Sequence, residues 1–331
     1  MSKNNRALYY EDVCLKPRYS DISSRSEVDT SVTVCDRFKF LSPVIPANMK
    51  AVIDDNIAAK LDSHNYMYIM HRFQSKSNLF TDDFVFKANN SVFGNISISV
   101  GVKDVDYKLI DHIAANLSET FRVDFITIDI AHGHCLAMKN MIQTIKTSIP
   151  DALIIAGNVA TRKAVKELGE WGADIVKVGI GQGNVCTTKD KTGFTMPMFT
   201  CVEECSGVIV NYRRIPIIAD GGIRCNGDIA KALAAGADMV MIGSMFSQCI
   251  DSPAMTVTVN GRTYKQYFGS ASEYNKSHKN HIEGVMKEVP TNNMTYIDKF
   301  GEIEQSLQSA VSYAGGTTLA ALKEVDYYTC K

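Results

Sequence analysis

Two stretches of the chain repeat one another: GADIVKVG at residues 172–179 and GADMVMIG at residues 236–243. Both follow the pattern GADxVxxG. A βα unit takes roughly 30 residues, and the offset between the two copies holds about two such units. In each copy a helix runs into the first glycine, a short buried strand follows, and a second glycine stands at the strand's exit.

Working outward at this spacing finds eight apolar runs that predict strands: 43–47, 67–70, 96–100, 125–128, 153–156, 175–178, 216–219 and 239–242. They are rich in Val and Ile and do not alternate, as parallel strands buried on both faces should not. Helical stretches lie between most of them, at 55–64, 104–117, 162–172 and 227–237, and the last two close on glycine. Eight alternations of strand and helix predict a (β/α)8 TIM barrel. A doubly wound sheet is the alternative, but it carries GxGxxG after its first strand. The nearest match here, GIGQG, follows the sixth strand with the wrong spacing.

The rest of the chain fits one barrel domain over 1–331. A long stretch after the eighth strand, about 250–300, has few apolar periodicities and is expected to be a mobile flap. Within it TVTVNGRTYKQYFG predicts a hairpin turning at Asn260-Gly261. The C-terminal segment, IEQSLQSAVSYAGGTTLAALKE, predicts helix around a glycine break.

The 331 residues are 45% hydrophobic with a net charge of -1, enough for a large core. The neutral balance and scattered basic residues argue against nucleic-acid binding. No apolar run reaches the length of a membrane span, and the N-terminus MSKNNRALYYEDV has no signal-peptide core. A soluble, cytoplasmic protein is expected. Nine cysteines form no CxxC pair and no regular framework, so most are expected to be reduced and structural.

A barrel carries its chemistry on the loops leaving the strands' C-terminal ends. Read that way, the exits hold Asn48-Met49, His71-Arg72, Asp129 to His134, Gly157-Asn158, GIGQGNVCTT (179–188), Asp220-Gly221-Gly222 and Gly243-Ser244. The last two follow strands seven and eight, where barrels bind phosphate on backbone N–H groups that glycine leaves accessible. The alternative is that these glycines only make tight turns. Cys186, after a glycine-rich turn, is a candidate nucleophile. It has no histidine at a fixed short spacing, so these residues alone leave a structural role open. His132 and His134 lack a partner at ligand spacing. Cys201 and Cys205, four apart, are expected to pack on one helix face.

The chain resembles the IMP dehydrogenase / GMP reductase family over nearly its whole length. The resemblance rests on YEDVCLKP (10–17), SRSEVDTSV (24–32), PVIPANM (43–49), DIAHGH (129–134), AGNVAT (156–161), KVGIGQGNVCTT (177–188), IADGGIR (218–224), MIGSM (241–245), YFGSASE (267–273) and SYAGG (312–316). The family's dehydrogenases usually carry a paired regulatory insertion after the second strand and an Arg-Tyr pair on the flap. Here the second strand ends at Met70 and the third begins at Ile96, too close for that insertion, and the flap region has no Arg-Tyr dipeptide. The glutamate of HIEGVMKEVP fits the reductase pattern, so the chain resembles the shorter bacterial type of the reductase branch.

The resemblance implies reduction of GMP to IMP and ammonia. Cys186 would attack C2 of the guanine to give a covalent thioimidate, which NADPH then reduces. Thr188, Glu283 and Asp129 match residues that assist catalysis. Asn158, Asn184, Asp220, Gly221, Gly222, Gly243, Ser244, Ser270 and Gly284 match nucleotide contacts. The cofactor would reach Arg72, Asp129, Ile130, Ala131, Ile180 and Gly181. Ser24, Arg25, Ser309 and Tyr313 match positions that reach it from a neighbouring subunit of a homotetramer. Arg72 or Arg25 would hold the 2′-phosphate of NADPH; the plain alternative for each is a surface ion pair. Carbonyls of Gly181, Gly183 and Cys186 would hold K+. The chain departs from the family at Gln182, Asn184, SQCIDSP (247–253) and Ser270. Two other readings are a dehydrogenase without its regulatory insert and a purine-nucleotide-binding barrel without turnover.

Overall fold

The computed structural model describes residues 6–73, 94–118, 121–276 and 280–330. Both copies of GADxVxxG form as expected. The helices Arg162–Trp171 and Asn226–Ala234 end just before Gly172 and Gly236, which take φ of 116° and 111°. Left-handed backbone at that point is cheap for glycine alone. The strands Ile175–Val178 and Met239–Ile242 follow, buried throughout.

The aspartate of each copy does the same work. Asp174 accepts the Ile154 N–H and Asp238 the Ile217 N–H, both at 2.9 Å. Asp124 accepts the Ile96 N–H at 2.9 Å in the same manner. Each carboxylate thus satisfies a backbone donor at the start of the neighbouring strand, stitching the barrel's closed end where no ladder partner is available.

Seven strands form one parallel sheet. In spatial order they are Val44–Pro46, Met239–Ile242, Ile217–Asp220, Ile175–Val178, Leu153–Val159, Phe125–Asp129 and Ser97–Val100. The first strand pairs with the last in sequence, Ile45 opposite Met241. That closure, with helices outside, is the (β/α)8 barrel. The segment 67–70 is a correction: it is buried but forms no ladder. Its Met70 N–H donates to Ser97 O at 3.2 Å, while the Ser97 N–H goes to the Tyr68 hydroxyl at 3.4 Å. A side chain thus takes a donor that a regular ladder would use. Most of the connection from this segment to the next strand, 74–93, lies outside the described residues.

Beyond the last barrel strand, the flap is an antiparallel sheet of Thr256–Val259, Arg262–Phe268 and Met286–Pro290. Asn260 and Gly261, with φ of 50° and 74°, make the expected hairpin turn. Residues 277–279 of the polar stretch lie outside the described residues. The helix Tyr296–Tyr313 begins inside the interval expected for the flap, capped by Thr295 and Asp298. After the break at Gly315 comes a 3-10 turn, Leu319–Glu324. The chain ends in Tyr327–Thr329, which pairs with Val13–Leu15 and brings the free thiols of Cys14 and Cys330 to 3.1 Å. Among the described residues no helix is long and apolar enough to cross a membrane.

Candidate active site

The strand exits and the flap enclose a cleft of about 1080 Å³. Its wall contains most of the residues expected from sequence: Asp129, Ile130, Ala131, Asn158, Ile180, Gly181, Asn184, Cys186, Thr188, Asp220, Gly221, Gly222, Gly243, Ser244, Ser270, Glu283 and Arg72. Gly284 is buried next to Glu283 and pairs as an isolated bridge with Cys186.

The glycines of 179–183 shape the loop. Gly179 and Gly181 take φ of 132° and 74°. A side chain at Gly179 would run into the Asp220 carbonyl, so the sixth and seventh strand exits approach as closely as they do only without one. The loop then turns through a Cys186 N–H to Gly183 O bond of 3.0 Å and presents a half-buried Cys186. Gln182, one of the departures, donates to Thr195 Oγ1 at 2.6 Å, and Thr195 donates to Ile180 O at 2.9 Å.

The flap brings Glu283 to this loop. The Thr187 N–H donates to Glu283 O and the Val285 N–H to Val185 O, each at 2.9 Å. The side chains then line up. The Cys186 thiol donates to Thr188 Oγ1 at 3.2 Å, and the Thr188 hydroxyl donates to Glu283 Oε2 at 2.6 Å. This is a continuous proton path from sulfur to carboxylate, 95 residues apart in sequence at its second step. It is formed by the contact between the flap and the cysteine loop.

The cleft floor holds a residue that sequence reading missed. Lys177 sits in the middle of a buried strand with its side chain 3% exposed. Its Nζ lies 2.6 Å from Asp220 Oδ2 and 3.1 Å from Asp129 Oδ1. Burial alone would lower its pKa, but Asp220 and Asp129 more than offset that and hold it above the ordinary lysine value. Asn158 joins the cluster, donating to Gly179 O at 2.8 Å and Asp220 Oδ2 at 2.9 Å. Gly157 leaves room, since a Cβ there would stand 2.7 Å from that of Lys177. The readable signal was a charge inside an otherwise apolar run, IVKV.

Three side-chain polar atoms of this wall have no hydrogen-bond partner among the described residues: Asn158 Oδ1, Thr187 Oγ1 and Arg72 Nε. Arg72 Nε lies 3.9 Å from Asp129 Oδ2. An orphaned acceptor and donor on one wall suit a polar ligand that supplies the missing partners. His71, beside Arg72, is pushed down to about 4 by burial and by Lys50, and accepts the Phe73 N–H on Nδ1 at 3.1 Å.

Other residues fall elsewhere. Ser24, Arg25, Ser309 and Tyr313 do not line this cleft. They gather on another face, where Arg25 donates to Ser309 Oγ at 3.0 Å and lies 5.6 Å from the Tyr313 ring centroid. His134 is bound to Glu167 at 2.7 Å, on the barrel's outer layer. Cys201 and Cys205 are both buried on the helix Met198–Cys205. Segment 247–253 is braced by another lysine that sequence reading missed. Buried Lys265 donates to the carbonyls of Ile250 and Ser252 at 3.0 Å and of Ala254 at 3.3 Å.

The family model for the IMP dehydrogenase / GMP reductase domain matches residues 7–329. The chain belongs to that family. It is 47% identical over 325 residues to proteins named GMP reductase from Bacillus cereus and Bacillus anthracis, covering 97% of this chain and 95% of each relative. A GMP reductase of Streptococcus pyogenes serotype M28 is also 47% identical over 97% of this chain and 94% of its own. The chain is thus an oxidoreductase of this family.

Proposed function

We propose that the protein is an NADPH-dependent GMP reductase that converts GMP to IMP and ammonia within purine salvage. The relatives named GMP reductase support the reaction. The observation that carries the mechanism is the Cys186–Thr188–Glu283 path.

The 5′-phosphate lies against Gly221-Gly222 and Gly243-Ser244, where φ of 103° and 79° at the first two turn the backbone sharply around the anion. Asp220, Asn184, Ser270 and Gly284 complete the nucleotide site, and Asn158 faces the purine. Cys186 loses its proton through Thr188 to Glu283, and the thiolate attacks C2 of the guanine. The protonated Glu283 returns a proton through Thr188 to the departing amino group, so ammonia leaves and a thioimidate remains. The docked flap keeps water from this intermediate, whose hydrolysis would give XMP.

NADPH, when bound, supplies the hydride to C2. Arg72, Asp129, Ile130, Ala131, Ile180 and Gly181 would hold it across the barrel mouth, consistent with the unpartnered Arg72 Nε. Ser24, Arg25, Ser309 and Tyr313 would meet it from the neighbouring subunit of a homotetramer, consistent with their position away from this chain's own cleft. Arg25 or Arg72 would bind the 2′-phosphate. Oxygen-only donors at Gly181, Gly183 and Cys186 suit a hard monovalent cation such as K+. A cytoplasmic location fits the free thiols.

The test is NADPH absorbance with and without GMP, with IMP and ammonia measured at the end. GMP-dependent oxidation with both products is expected. NADH formation from IMP and NAD, with no reaction of GMP, would replace this reading by the dehydrogenase. Silence in both would leave a binding protein without turnover.

A further inference from the structure

The flap brings more than Glu283 to the cleft. Lys287 lies on the Met286–Pro290 strand and lines the cleft. Its ammonium donates to Asn184 O at 2.7 Å and to Asn184 Oδ1 at 3.1 Å. Asn184 follows Gly183, whose N–H lies beside Gly221: a Cβ built on Gly221 would stand 3.2 Å from Gly183 N. Across the flap sheet, Lys287 pairs directly with Tyr267. Directly paired residues share a face of the sheet. The buried Tyr267 hydroxyl is the atom that a side chain at Gly243 would strike. Two separate links therefore bring Lys287 to the side of the cleft that carries the Gly221 and Gly243 turns.

Charge distinguishes it from three of the cleft's other cations. The cleft's Arg72, Lys177 and Arg224 each face a carboxylate: Asp129; Asp129 and Asp220; and Glu11. The hydrogen bonds of Lys287 go to neutral oxygens of one residue. An ammonium has three donors, and Asn184 takes two.

We propose that Lys287 is a ligand of the substrate's 5′-phosphate, donating its third N–H to the dianion while Asn184 holds the other two. This rests on the reading of the cleft as a GMP site. It makes the substrate's own charge part of what holds the flap, and hence Glu283, against the catalytic loop. Asn184, a departure from the family, is then the bracket that aims the lysine.

The test is steady-state kinetics of Lys287→Gln and Lys287→Arg beside the wild type, with melting curves as a folding control. Gln keeps an N–H for Asn184 but has no charge; Arg keeps the charge. A charge-assisted hydrogen bond to phosphate corresponds to a rise in KM for GMP of about tenfold to a hundredfold in Lys287→Gln. The kcat at saturating GMP should stay within a few-fold, because the contact is made equally in ground and transition states. Lys287→Arg should recover most of the KM. Inorganic phosphate should inhibit the wild type competitively, and Lys287→Gln far less. An unchanged KM in Lys287→Gln overturns the proposal, as does a fall in kcat alone, which would make the lysine only a flap latch. A wild type that does not oxidise NADPH with GMP removes the underlying reading instead.

Discussion

Replacing Lys177 with methionine tests how the cleft floor is held together. Methionine keeps the side chain's length on the strand and removes its charge. In the native chain the ammonium lies 2.6 Å from Asp220 and 3.1 Å from Asp129. At an effective dielectric of about 20, each contact is worth on the order of 5–6 kcal/mol of gross attraction. Desolvation of the ammonium offsets several kcal/mol of that. The variant instead suffers the cost of two carboxylates left facing each other without their cation, about 3–5 kcal/mol. Asp129 and Asp220 keep 18% and 22% of their side-chain surface, which favours the lower end. Urea unfolding followed by the fluorescence of the single Trp171, at fixed protein concentration, measures the loss. Its pH dependence is a second check. The folded-state pKa of Lys177 lies above the ordinary value of about 10.4. Its contribution is therefore complete below about pH 10.4 and fades only as pH rises through the folded value. The gap between wild type and variant should be flat from about pH 6 to 9. A loss under about 1 kcal/mol, which is the worth of an ordinary surface pair, refutes the reasoning.

Four further substitutions follow from the same geometry. Cys186→Ala should abolish turnover and spare GMP binding by calorimetry; full activity would end the thioimidate mechanism. Glu283→Gln keeps an acceptor for the Thr188 hydroxyl but cannot store the proton, so kcat should fall about 10²–10⁴-fold with little change in KM for GMP; equal kcat would place the proton elsewhere. His71 has a folded pKa of about 4, against about 6.5 unfolded. It therefore adds stability above pH 6.5 that is lost as pH falls through 4, about 3 kcal/mol in all. His71→Gln should lose that much less between pH 7 and 4 in urea titrations, and parallel curves would rule the effect out. Gly243→Ala puts a methyl group against the buried Tyr267 hydroxyl, so kcat/KM for GMP should drop at least about tenfold as the flap is displaced. Unaltered kinetics would show that Tyr267 yields without moving the flap.

The barrel was legible because its strands announce themselves twice, by unbroken Val and Ile runs and by the glycines that end the preceding helices. The segment at 67–70, MYIM, is as apolar as those runs, yet the Tyr68 hydroxyl captures a neighbour's N–H, and apolarity carries no trace of that. Cys186 and Thr188 stand two apart and could be read together. Glu283 reaches them from the flap, so only the resemblance joined it to them. Lys177 could have been noticed, since a lone charge in a buried strand must find partners. Its partners, Asp129 and Asp220, stand far away on either side in the chain, at the ends of two other strands. Lys265 and Lys287 look like ordinary surface lysines in sequence, and only the folded flap shows one buried among carbonyls and the other aimed at the cleft.

The pairing of Val44–Pro46 with Met239–Ile242 has a consequence for synthesis. The first strand's neighbour is among the last parts of the barrel to be made. At roughly 5–20 residues per second, the wait is about 10–40 s, during which the nascent sheet keeps an open edge. Pro46 lies on that edge and has no N–H to offer a stray strand, a guard natural sheets use against wrong pairing. The cysteine loop is also complete before the barrel can close. The flap leaves the ribosome after both, so Cys186 and Thr188 meet Glu283 only once every strand of the barrel is already made.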